Sequence, residues 1–173
     1  MAIKDIIIKR KIGKRTRQVQ FFNYSSAKSV GILYSIDNKT DFDRIKSYIS
    51  ELSNRNLEIH ALGFVKKPEE IGTTYFGKGK LNYFSEKHIT KTGSIKEICI
   101  SEFINSEIDI VLNLASSNNF YIEYVFALSK AKFKVSGIID CAYSDLNFNY
   151  DRNKGLDYFI SQVDHYLNTI QKA

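Results

Sequence analysis

Residues 29–65 read SVGILYSIDNKTDFDRIKSYISELSNRNLEIHALGFV, and this stretch decides the fold. SVGILYS (29–35) is a short apolar run between polar flanks, the pattern of a strand buried on both faces. Phe42, Ile45, Ile49 and Leu52 then recur at the spacing of one helix face, with Thr40 as a cap and Asp43 three positions on. LEIHALGFV (57–65) is a second apolar run, stopped by Lys66-Lys67-Pro68. Two buried strands joined by an amphipathic helix pair in parallel, because a helical crossover returns the chain to the same end of the sheet.

The same alternation continues outward. Residues 69–93 are glycine-rich and irregular, with an aromatic centre, YFGKGKLNYF. Ser94 and Glu97 then form a capping box ahead of a helix carrying Ile95, Ile98, Cys99 and Phe103. IDIVLNL (108–114) predicts a third strand. Asn118 or Asn119 caps a helix with Tyr121, Val125 and Leu128 on one face, and FKVSGII (133–139) predicts a fourth strand. A short strand is expected near 146–150. The final helix starts at about Gly155 or Leu156 and carries Leu156, Phe159, Ile160, Val163, Leu167 and Ile170. The expected fold is an α/β three-layer sandwich, Rossmann-like or flavodoxin-like, around a mainly parallel sheet of four to five strands.

Charge is confined to one end. Lys4, Lys9, Arg10, Lys11, Lys14, Arg15 and Arg17 face a single acid, Asp5, so the first 18 residues carry the +6 of the whole chain. The remainder is balanced. Residues 1–23 therefore read as a basic N-terminal arm and residues 24–173 as a single α/β domain, with the seven bases as candidate contacts to a polyanion. A domain of this size buries ~70 % of the surface of its unfolded chain, enough for a core without cross-links. Cys99 and Cys141 lie far apart and form no metal or disulfide pattern, which fits a reducing cytoplasm. No apolar run approaches the ~20 residues that span a bilayer, and Ile6-Ile7-Ile8 is shorter than the roughly 7–15 residues of a secretory core.

In an open α/β sheet, ligands sit beyond the carboxyl ends of the strands. Those ends offer Asp37, Ser116, Asn118 and Asp140 as candidate ligand residues, with Ser35 and Cys141 beside them; Asp37 and Asn118 are also ordinary helix-start residues. GTTYFGK (72–78) fits the first part of a phosphate-binding loop, but Gly79 stands where a magnesium-binding hydroxyl belongs and no helix follows at once. SIDNKTD (35–41) contains no glycine, so the dinucleotide fingerprint is absent. His60, His88 and His165 have no second ligand nearby, and neither a metal nor a cofactor is expected. Tyr75, Phe76, Tyr83 and Phe84 read as anchors that hold a long loop on the body, with platforms for stacked bases as the alternative.

Five blocks, AKSVGILYS (27–35), LGFVKK (62–67), KLNYF (80–84), ALSKAKFKVSG (127–137) and FISQVDHYL (159–167), carry a resemblance. In this order, after a basic arm, they resemble a family of small cytoplasmic proteins from Bacteroidota with no assigned function. The resemblance covers about residues 24–170 and implies a cytoplasmic single domain; it supplies no catalytic residues. With no catalytic pattern, the chain reads as a binding protein whose arm contacts RNA or the ribosome. One alternative is a small-molecule or enzymatic site on the strand-end rim. Another is an anionic membrane surface, met by Ile3, Ile6, Ile7 and Ile12 along a short basic helix.

Overall fold

The computed structural model describes residues 3–13, 16–67, 81–138 and 141–170. Six strands form one sheet: β1 (Ser29–Ser35), β2 (Glu58–Phe64), β3 (Leu81–Phe84), β4 (Ile110–Asn113), β5 (Phe133–Ser136) and β6 (Leu146–Asn147). Five α-helices accompany them: α1 (Ile3–Ile12), α2 (Lys39–Ser53), α3 (Ile98–Asn105), α4 (Phe120–Leu128) and α5 (Gly155–Thr169). The strand order is β3-β2-β1-β4-β5-β6, and every neighbouring pair is parallel. This is the doubly wound order of a Rossmann-like α/β fold. The sheet is wider than the expected four to five strands because β3 lies inside the stretch read as irregular.

β1 occupies the middle of the sheet and is buried at all seven positions, as its continuous apolar run requires. Alternation along it feeds two separate apolar layers. Val30, Ile32 and Tyr34 join the layer built with Phe42, Ile45, Tyr48 and Leu52 of α2 and Phe159, Ile160, Val163 and Leu167 of α5. Leu33 joins the opposite layer, built with Ile100, Phe103 and Ile104 of α3 and Ile122, Val125 and Phe126 of α4. Lys134 is 2 % exposed on β5, and its ammonium donates to the carbonyls of Phe126 (2.8 Å) and Ala127 (3.0 Å). Those are last-turn carbonyls of α4, which a cation there satisfies.

Two caps differ from the sequence expectation. α2 starts on Asn38, whose side chain accepts from the Asp41 amide at 2.8 Å, two residues before Thr40. α3 starts after Glu97, because Ser94 is held in a turn by its amide bond to the Thr90 hydroxyl (2.9 Å), and Ile95 bridges to Ile89. α4 starts on Asn119, one of the two residues expected to cap it.

The basic segment is not an appendage. Ile8 is fully buried, and Ile7 and Ile12 pack on the same apolar layer as α4. Burying such a side chain is worth about 1.5–3 kcal/mol, ample reason for the segment to fold onto the body. The chain then stays attached. Arg17 Nε donates to the Ala131 carbonyl at 2.6 Å, and its guanidinium pairs with both oxygens of Asp145. The Gln20 amide donates to Lys132 (3.0 Å), Phe21 meets Phe133 edge to face at 5.1 Å, and Asn23 Nδ2 donates to the Ile170 carbonyl at 2.7 Å. The boundary expected at residue 23 therefore has no structural counterpart.

Gly137 ends β5 where α5 crosses it. A Cβ there would stand 2.6 Å from Cζ of the buried Phe159 ring. Gly137→Ala is accordingly expected to destabilise the fold by about 1–3 kcal/mol, read as a lower midpoint in urea; an unchanged midpoint would show that the ring yields freely.

Candidate functional site

The strand order reverses between β1 and β4, so their carboxyl ends open the crevice in which such sheets bind ligands. Ser35, 8 % exposed at the end of β1, donates its hydroxyl to Asp37 Oδ2 at 2.6 Å. Ser116, from the loop after β4, donates to the same oxygen at 2.5 Å. Asp37 thus ties the two diverging loops together and caps no helix; that role falls to its neighbour Asn38. Behind this cluster stands Asn113, the last residue of β4, 1 % exposed. Its Oδ1 accepts from the Ala115 amide at 3.1 Å, while its Nδ2 has no acceptor among the described residues. A buried donor left unmatched costs about 1–3 kcal/mol. Asn118 is exposed one residue before the α4 cap, and Asp140 lies outside the described residues. So Asp37 and Ser116 come together, Asn118 does not join them, and sequence reasoning overlooked Asn113 inside an apolar strand.

The basic candidates divide. Lys9 and Arg10 are exposed on α1, Lys11 is half-buried, Lys4 lies in the first turns of the same helix, and Lys14 and Arg15 fall outside the described residues. Arg17 is engaged by Asp145 and two backbone carbonyls, with 20 % of its side chain exposed. Ile7, Ile8 and Ile12 face the protein, and Ile6 is 48 % exposed.

Elsewhere, two of the three histidines have local partners. His60 pairs with Glu58 at 3.3 Å, and His88 Nδ1 accepts from the Ser85 amide at 3.3 Å. Burial, reinforced by Glu97, pushes the half-buried Cys99 thiol up, which disfavours the thiolate a nucleophile needs. Cys141 is buried, and both cysteines are free. Among the described residues no group of three or more His, Cys, Asp or Glu side chains is placed to hold a metal, and no helix is long and apolar enough to cross a membrane. A cavity of about 770 Å³ lies away from the crevice, along the amino-terminal half of β2 beside α2 and α3. The phosphate-loop lookalike at 72–78 lies outside the described residues.

A family model matches residues 4–170, from the start of the basic segment to the end of α5. The chain belongs to DUF6913, a family of unknown function. That span takes in α1, in keeping with a DUF6913 fold that includes the basic helix rather than beginning after it. No curated protein matches the chain. Among solved structures, the glycosyl transferase family 9 protein from Veillonella parvula DSM 2008 is similar, with a TM-score of 0.51 and 15 % identity. The match covers 90 % of this chain and 45 % of that one, so the DUF6913 chain spans less than half of that protein's length. At this identity the likeness concerns the fold alone.

Proposed function

We propose that this protein is a non-enzymatic binding protein of the cytoplasm whose basic N-terminal helix contacts a polyanion, RNA or the ribosome. One observation carries the reading: α1 docks through Ile7, Ile8 and Ile12, and this leaves Lys9 and Arg10 pointing outward from a fixed helix. Charges held on a rigid element lose little freedom when they meet phosphates. Binding of this kind releases condensed counterions, so affinity falls with salt by a log–log slope of about −0.7 per contact on single strands. The free cysteines agree with a reducing compartment.

The test is charge reversal, since truncation would also remove Ile8 and Arg17 from the fold. The double variant Lys9→Glu/Arg10→Glu is expected to bind ribosomal RNA at least about tenfold more weakly at moderate salt. Its salt slope should be shallower by about 1.4, two contacts' worth. Filter binding across a salt series measures both, with circular dichroism confirming the fold. Equal affinity and slope for the variant and the parent protein would overturn the proposal. Flotation with anionic vesicles in place of RNA binding would transfer the role to a membrane surface.

A further inference from the structure

The crevice between β1 and β4 presents chemistry that the basic helix does not use. Both serine bonds to Asp37 fall on Oδ2, which leaves Oδ1 as an exposed acceptor at the mouth. Deeper in, Asn113 offers a donor with no acceptor among the described residues, held in place by the Ala115 amide on its Oδ1. An acceptor past the end of β1 and a donor at the end of the adjoining β4 match a pair of adjacent hydroxyls, one donating and the other accepting.

The surroundings disfavour the ligand usual at such a position, a phosphate. The Asp37 carboxylate opposes a second negative charge. Residues 35–41 contain no glycine to bring the backbone close. The Tyr121 and Ile122 amides at the start of α4 are already bound by Asn119 Oδ1, at 2.9 and 3.4 Å. A helix start that satisfies its own amides has less to offer an anion.

We propose that the β1–β4 crevice binds a neutral, polyhydroxylated ligand through a vicinal diol, as in the ribose of a nucleoside. One hydroxyl donates to Asp37, displacing the Ser116 hydroxyl, and its neighbour accepts from Asn113 Nδ2. This site is independent of the polyanion reading, because its residues come from strand ends and not from α1.

The experiment uses adenosine, 2′-deoxyadenosine, D-ribose and inorganic phosphate as probes of the full chain. Adenosine at about ten times its dissociation constant is expected to raise Tm by about 3–6 °C and to shift the Asn113 side-chain amide resonances. D-Ribose giving the same shift would support the diol, while 2′-deoxyadenosine and phosphate should leave both readouts unchanged. Asp37→Asn, an isosteric change at an exposed position, is expected to weaken adenosine binding at least about tenfold while the fold persists. Lys9→Glu/Arg10→Glu should bind adenosine as the parent does, which separates this site from the basic helix. Equal responses to adenosine and its deoxy form, a preference for phosphate, no response to any probe, or full binding by Asp37→Asn would each overturn the proposal.

Discussion

Replacing Ile8 by alanine is expected to lower the free energy of unfolding by about 2–4 kcal/mol, while Lys9→Ala next to it changes stability by less than about 0.5 kcal/mol. Ile8 is 0 % exposed and belongs to the apolar layer shared by α3 and α4, so truncation leaves a cavity among side chains that cannot all collapse into it. Lys9 is on the exposed side of the same helix turn. The contrast between adjacent residues separates a structural helix from a charged tail. Urea titrations at equal m-value measure it. Small and similar effects at both positions would mean that α1 is only loosely held, and the rigid presentation of Lys9 and Arg10 would fall with it.

Raising the pH through the tyrosine range should unfold the protein steeply. The Tyr24 and Tyr48 hydroxyls bond to each other inside the α2–α5 layer, and the Arg55–Asp164 ion pair closes over them. Burial holds Tyr24 well above the ordinary tyrosine range, with its partner Tyr48 adding to the shift. Burial also raises Tyr48, and it raises Tyr34, helped there by the neighbouring Tyr83. Because the folded state keeps protons that the unfolded chain releases near pH 10, this stabilisation is complete below pH 10 and is lost as pH rises beyond it. Each such tyrosine contributes a slope of about 1.4 kcal/mol per pH unit, and three together about 4 kcal/mol per unit. The tyrosinate absorbance of these residues is therefore expected to appear together with the loss of circular dichroism, not ahead of it. Ionisation of all eleven tyrosines before unfolding would contradict the buried network. Tyr24→Phe should flatten the pH slope by removing one titrating group.

Where the hydrophobic period was clean, the sequence reading located the elements closely. β1 at 29–35 coincides with its expected span, and the long stripes from Phe42 to Leu52 and from Leu156 to Leu167 fall on α2 and α5. β3 was hidden because it is four residues long and only Phe84 is buried, so it lacks the run that marks an interior strand. α1 is hidden within the basic stretch for a related reason. Ile6, Ile7 and Ile8 are consecutive, as are Lys9, Arg10 and Lys11, and consecutive residues on a helix point in different directions. No stripe announces which isoleucine faces inward; the partner surface on α4 decides it. At the crevice, polar residue types at strand ends were enough to select Asp37 and Ser116. Their shared oxygen was not legible, because it depends on β1 and β4 lying side by side, and strand order is a property of the whole sheet.

The anchoring of the first residues has a consequence for synthesis. Arg17 and Asp145 stand 128 positions apart, so on a ribosome the basic stretch emerges long before the surface that receives it. At about 5–20 residues per second, that interval is on the order of ten seconds. During this time the isoleucines of α1 have no groove to enter, and the bases lie bare beside the particle that is making them. Central β1 likewise waits for β4. A stalled product ending before α4 would therefore expose the isoleucines that the finished protein buries against that helix.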